Sequence, residues 1–121
     1  MGKTELARAL CFYIYGSEER LIRLDMSEYA ETWALSRLIG PQPGYVGSSQ
    51  PASWLTTRVI ARPESLVLLD EIEKAHPDVW NAFLQVFDAG RLTDSRGSVA
   101  DFSRVIFVLT SVTVQPVVVM W

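Results

Sequence analysis

A mostly parallel α/β sheet flanked by helices is the fold class this sequence predicts, and three observations carry it. Ser65 to Leu69 is an apolar run, bounded by Arg62-Pro63 before it and by Asp70-Glu71 after it. Such a run reads as a strand buried on both faces, the habit of parallel sheets. Val105 to Leu109 repeats the pattern near the other end of the chain. Between Thr4 and Tyr15 apolar residues recur at helical spacing, and the short strand-like Leu21–Asp25 follows, which is the layout of βαβ units.

Composition bounds the answer. The chain has 121 residues, 49% of them hydrophobic, enough for one modest domain with a real core. Its net charge of −3 gives no reason to expect affinity for nucleic acid or for an anionic membrane. One cysteine, Cys11, excludes an internal disulfide framework. On the apolar face of a helix it reads as a small core residue. No signal peptide precedes the first helix, and no apolar run approaches the ~20 residues a membrane span needs. A soluble cytoplasmic protein is the expectation.

Taken in order, Thr4–Tyr15 is a helix with Leu6, Ala7, Leu10, Cys11 and Ile14 on its apolar side and Gly16 as its stop. Leu21–Asp25 is a strand, with Asp25 and Ser27 as candidate caps for the next turn. Glu31–Ile39 is a short helix. Gly40 to Ser49 is rich in breakers and holds Tyr45-Val46 between glycines, open to two readings: a turn whose tyrosine tucks back, or an exposed aromatic grip on a partner. Ala52–Ala61 is a third helix, carrying Trp54, Leu55, Val59 and Ile60. Pro77 is tolerated at the first position of a strong helix with Val79, Trp80, Phe83, Leu84 and Phe87 as its stripe and Gly90 as its close. His76, with no second histidine or cysteine nearby, is a cap or packed residue rather than a metal ligand. Asp88 to Gly97 reads as a polar, mobile, turn-rich loop. Val112 to Trp121 is apolar and β-branched, interrupted by Gln115-Pro116, and no internal repeat or linker divides the chain.

Two stretches carry chemistry. Ligands of open parallel sheets bind outside the carboxyl ends of the strands, where Asp70 and Glu71 stand, so an apolar strand ending in Asp-Glu has the form of a Walker B motif. Met1-Gly2-Lys3-Thr4 is the tail of a P-loop, G-x-x-x-x-G-K-[ST], running at once into a helix. In that motif backbone N–H groups cradle the phosphates, the lysine reaches the β- and γ-phosphates and the hydroxyl binds magnesium. A helix N-terminus favours an anion for the same physical reason.

With these in view the chain resembles the second AAA+ module of the ClpA/ClpB (Hsp100) unfoldases and disaggregases, from Gly2 to about Ser111. The resemblance rests on Gly2-Lys3-Thr4-Glu5-Leu6-Ala7, Asp25-Met26-Ser27-Glu28-Tyr29, Ser36-Arg37-Leu38-Ile39-Gly40, Pro43-Gly44-Tyr45-Val46-Gly47, the run from Leu69 to Val79, and Gly90-Arg91-Leu92-Thr93-Asp94 within Asp88 to Gly97. It implies that residues 1–121 are a partial AAA+ large subdomain, a P-loop NTPase sheet lacking its first strand, with 112–121 as a divergent tail. It implies ATP and Mg²⁺ as cofactors: Gly2, Lys3 and Thr4 bind nucleotide, Thr4 and Asp70 serve the metal, and Glu71 polarises the attacking water. Tyr45 and Val46 then line the pore of a hexameric ring and grip an unfolded or aggregated polypeptide, and a secondary pore loop corresponds to the segment around Gly90 to Gly97. The implied function is ATP hydrolysis coupled to protein unfolding.

The departures are specific. The motif's upstream glycine and its strand do not appear, Val112 stands where an asparagine is expected, and no arginine finger follows. Such a finger is worth ~10³–10⁵ in rate in phosphoryl-transfer enzymes. A poor ATPase in isolation, with ring assembly in doubt, is the consequence. The alternative function is a catalytically weak AAA+ fragment serving as a protein-interaction module. The tail from Val117 has the composition of a strand that lies in or near the vacant slot of the sheet, where open edges would otherwise invite aggregation.

Overall fold

The computed structural model describes residues 2–41, 51–111 and 117–120, at 2, 3, 51 and 117–120 as backbone. Strands β1 (Leu21–Asp25), β2 (Leu66–Asp70), β5 (Ile106–Leu109) and β6 (Val117–Met120) form one sheet in the order β1-β2-β5-β6. β2 pairs in parallel with β1 on one side and β5 on the other, so the most apolar strand is central. Its first four residues are all buried. The apolar tail joins the sheet too: β6 runs antiparallel along β5, with Ile106 opposite Met120 and Leu109 opposite Val117.

Alternation along the strands gives the sheet two dry faces. Leu66 and Leu68 of β2 and Val108 of β5 pack on one face against Ala7 and Cys11 of helix α1 (Gly2–Tyr15). Ile22, Leu24, Val67, Leu69 and Phe107 face the other way. They meet Leu55 and Val59 of α3 (Leu55–Ala61) and Val79, Phe83 and Val86 of α4 (Pro77–Ala89). Each fully buried side chain of this kind stabilises the fold by about 1.5–3 kcal/mol.

Local chemistry sets the helix ends. The His76 Nδ1 accepts the Asp78 amide at 3.0 Å, with Pro77 in the first turn and Gly90 closing α4 in the left-handed region (φ 74°). His76 is therefore a cap, as its isolation in the sequence suggests. Asp25 caps the 3₁₀ turn Met26–Tyr29 by accepting the Ser27 amide; Ser27 itself caps nothing there and donates its hydroxyl to Asp25.

Five expectations need correction. Residues 88–97 are not a loose loop: Arg91–Thr93 (β3) and Val99–Asp101 (β4) form an antiparallel hairpin, with Leu92 and Ala100 in the core. Asp94 organises its tip, its Oδ1 accepting the amides of Arg96 and Ser98, both at 2.9 Å. The expected helix Glu31–Ile39 is a 3₁₀ turn, Thr32–Leu35, followed by a single turn α2 (Ser36–Ile39). The expected helix Ala52–Ala61 divides likewise, because Trp54 is extended (ψ 145°) between the turn Pro51–Ser53 and α3. Among the described residues of α1 only Ala7 and Cys11 are fully buried; Leu6 is 52% exposed and Ile14 41%. The partly exposed Leu84 of α4 departs from its stripe in the same way.

This asymmetry is measurable by urea denaturation. Phe83→Ala, which empties a fully buried site, lowers stability by about 3–5 kcal/mol. Leu6→Ala, at an outward position, changes it by no more than about 0.5 kcal/mol. Equal losses would contradict the packing described.

Candidate nucleotide site at the carboxyl end of the sheet

The central strand delivers Asp70 and Glu71 to the carboxyl edge of the sheet. Parity places Asp70 on the same face as Leu66 and Leu68, the face covered by α1. Direction follows from the far end of that helix, where the Tyr15 hydroxyl donates to the Ser65 carbonyl at 3.3 Å, at the entry to β2. A helix of 14 residues is about 20 Å long, enough to run the length of the strand. Gly2, Lys3 and the half-buried Thr4 form the first turn of α1, so they sit at the exit of β2, on the Asp70 side.

Asp70 is held from both sides. The Thr110 hydroxyl donates to its Oδ1, and the Arg23 guanidinium donates to its Oδ2 at 3.1 Å. Arg23 lies beside Leu68 in the β1–β2 register and therefore shares that face. Burial by itself would push the Asp70 carboxyl up. The Thr110 hydrogen bond and the Arg23 charge outweigh it and leave the group below its usual range.

Glu71 is the unusual residue. Among the described residues it alone, glycines aside, has a positive φ (57°, with ψ 56°). A left-handed glutamate costs about 1–2 kcal/mol, so neighbouring bonds must hold it there. Thr110 supplies two: its Oγ1 accepts the Glu71 amide at 3.1 Å, and its carbonyl accepts the Ile72 amide at 2.9 Å. The Glu71 carboxylate pairs with Lys74 at 3.1 Å, which raises the lysine's pKa.

Asp70 and Glu71 are thus brought together at the end of β2 that the Gly2–Thr4 turn overlies. Tyr45 and Val46 lie outside the described residues. Two residues escaped the sequence reading. Thr110 had a signal, a hydroxyl closing the apolar run of β5; Arg23 had one, a lone cation between the apolar Ile22 and Leu24 of a strand.

The donor set suits Mg²⁺, a hard cation that takes oxygen ligands and usually binds through one or two carboxylates plus substrate phosphates. Among the described residues no group of three or more His, Cys, Asp or Glu side chains could hold a metal ion. An ionised carboxylate has about four lone-pair sites, so Asp70 keeps accepting capacity beyond Thr110 and Arg23. Thr4 adds a hydroxyl oxygen.

Two outcomes follow. Thr110→Val removes the partner of the Asp70 Oδ1 and of the Glu71 amide and costs about 1–3 kcal/mol, with Thr110→Ser recovering most of it; equal urea midpoints for all three proteins would refute the clamp. Because Asp70 has a lower pKa folded than unfolded, its contribution is complete above the ordinary carboxylate value of about 4 and is lost as pH falls through the depressed folded value. The stability gap between the wild type and Asp70→Asn is therefore constant at neutral pH and narrows below about pH 4, whereas a gap that holds in acid would contradict the assignment.

Comparison with known proteins identifies the family. The family model described as AAA domain (Cdc48 subfamily) matches residues 1–116. Chaperone protein ClpB 1 of Synechococcus elongatus is 57% identical over 111 residues, 92% of this chain and 13% of the relative. The negative regulator of genetic competence ClpC/MecB of Bacillus subtilis is 58% identical over 111 residues, 92% of this chain and 14% of the relative. Chaperone protein ClpC2, chloroplastic, of Arabidopsis thaliana is 55% identical, with 12% of its length covered. The chain thus spans well under a fifth of the length of these relatives. With a parallel sheet flanked by helices and acids at the end of its central strand, the chain belongs to the Clp/Hsp100 family of AAA+ ATPases.

Proposed function

We propose that this chain carries part of an ATP-binding and hydrolysing site of a Clp/Hsp100-type AAA+ ring that unfolds or disaggregates proteins in the cytoplasm. The observation that supports it best is Glu71, kept in a strained left-handed conformation by Thr110 at the end of the central strand. Strain of this kind is maintained where the side chain's direction matters. Among the described residues no helix is long and apolar enough to cross a membrane.

In this reading Gly2 lets phosphate approach the backbone, Lys3 neutralises it, and Thr4 and Asp70 hold Mg²⁺. Bound magnesium nucleotide supplies the transferable phosphoryl group and the charge that screens it. Glu71 accepts a hydrogen bond from the water and orients it, and Thr110 keeps Glu71 and Asp70 in fixed relation. The chemistry asks for little more than position and charge. Tyr45 and Val46 would contact an unfolded polypeptide in the pore of a hexamer, an assignment carried by the resemblance and by the relatives' names as chaperones.

A second reading has its own support. Both acids are engaged by resident cations, Asp70 by Arg23 and Glu71 by Lys74. A catalytically weak fragment acting as a protein-interaction module would keep them so.

Titration of a fluorescent ATP analogue, with and without Mg²⁺, separates the two. Nucleotide binding predicts saturable, magnesium-dependent binding that weakens about tenfold or more in Lys3→Ala, a loss of ~1.4 kcal/mol or more. A folded chain that binds nothing, or binds equally with Lys3→Ala, would give the interaction module the lead.

A further inference from the structure

Outside the Asp70 site, the most constrained contact among the described residues joins two stretches far apart in sequence. Gly40 lies at the end of α2, just before the Tyr45 segment, with φ +92°. A Cβ on it would stand 2.3 Å from Cη2 of Trp54 and 2.6 Å from Oγ of Ser95, so the ring of Trp54 and the hairpin tip press on this glycine together. The Ser95 amide donates to the Ile39 carbonyl at 2.8 Å. The Arg96 guanidinium lies 5.7 Å from the centre of the Trp54 ring, within cation–π range.

Trp54 is 3% exposed, and its buried Nε1 has no hydrogen-bond partner among the described residues. Packing against Gly40 and the Arg96 guanidinium holds the ring here. The tip has little freedom of its own, since Asp94 also donates its amide to the Ser98 carbonyl at 2.8 Å and accepts the Gly97 amide on its own carbonyl at 3.1 Å. On the other side, the Thr56 hydroxyl donates to the Leu38 carbonyl at 3.3 Å and anchors α3 to α2.

We propose that Trp54 is a positioning residue that locks the stem of the Tyr45 segment, at Ile39 and Gly40, to the tip of the β3–β4 hairpin, at Ser95 and Arg96. The end of α2 and the hairpin tip then take up position as one unit, and a displacement of either is transmitted through the indole. The functional part rests on the unfoldase reading above; the mechanical part does not.

Amide exchange of the full chain, followed by NMR, tests it. In Trp54→Leu the Ser95 amide exchanges at least tenfold faster than in the wild type, while Val67 and Leu68 of β2 keep their protection. Trp54→Phe, which keeps a ring but lacks Nε1, restores Ser95 to within about threefold. Arg96→Gln, at an exposed position, speeds Ser95 exchange several-fold and decides the matter if Trp54→Leu does not fold. Ser95 exchange within twofold of the wild type in the folded variants overturns the lock. Anisotropy with a fluorescein-labelled, permanently unfolded polypeptide keeps the two layers apart: a wild-type chain that does not bind it removes the unfoldase reading, while Ser95 exchange still decides the coupling. If it binds, affinity falls in Trp54→Leu as it does in Tyr45→Ala, and unchanged affinity overturns the functional part.

Discussion

The hydroxyl of Thr110 is the point on which the site turns. It donates to Asp70 and accepts from the Glu71 amide, so one oxygen joins the end of β5 to the end of β2 and fixes both acids relative to the sheet. The arrangement is possible only because β2 is central and parallel to its neighbours, which brings Asp25, Asp70 and Thr110 out at one edge. The same parity that sends Leu66 and Leu68 under α1 sends Arg23, Asp70 and Thr110 to that side. Packing and chemistry are therefore one constraint: a slip of one residue in β2 would turn Asp70 away from Arg23 and Thr110.

Much of the fold was legible because burial leaves a simple mark. β2 and β5 are continuous apolar runs, and such runs mean two covered faces. His76-Pro77 marked a helix start that the cap geometry matches. What escaped was short or local. β3 and β4 have three residues each and alternate exposed and buried positions, too brief a period to separate from a turn, and Asp94 and Gly97 pull the reading towards loop. The outward Leu6 and Ile14 escaped because α1 touches the sheet along a narrow seam of small residues, Ala7 and Cys11, which helical spacing alone does not distinguish from a broad one.

At the site, Asp70 and Glu71 could be found from position alone, at the end of an apolar strand. Thr110 and Arg23 required knowing which strands are neighbours. Arg23 reaches Asp70 across the β1–β2 pairing, and Thr110 across β2–β5. A sequence states the strands but not their order, so contacts of this kind become visible only with the sheet assembled. The strain at Glu71 was hidden for a related reason, since the residue type argues against a left-handed backbone and only the bonds from Thr110 make it tenable.

The central claim is that the Gly2–Thr4 turn and the end of β2 form one metal–nucleotide site, with Thr110 setting its acids. A crystal structure of this chain grown with Mg²⁺ and a non-hydrolysable ATP analogue tests it most directly. The account predicts phosphate density at the first turn of α1, the metal between Thr4 and Asp70, and Glu71 still left-handed against Thr110. Nucleotide seated elsewhere on the molecule, or at α1 with the metal away from Asp70, would contradict it.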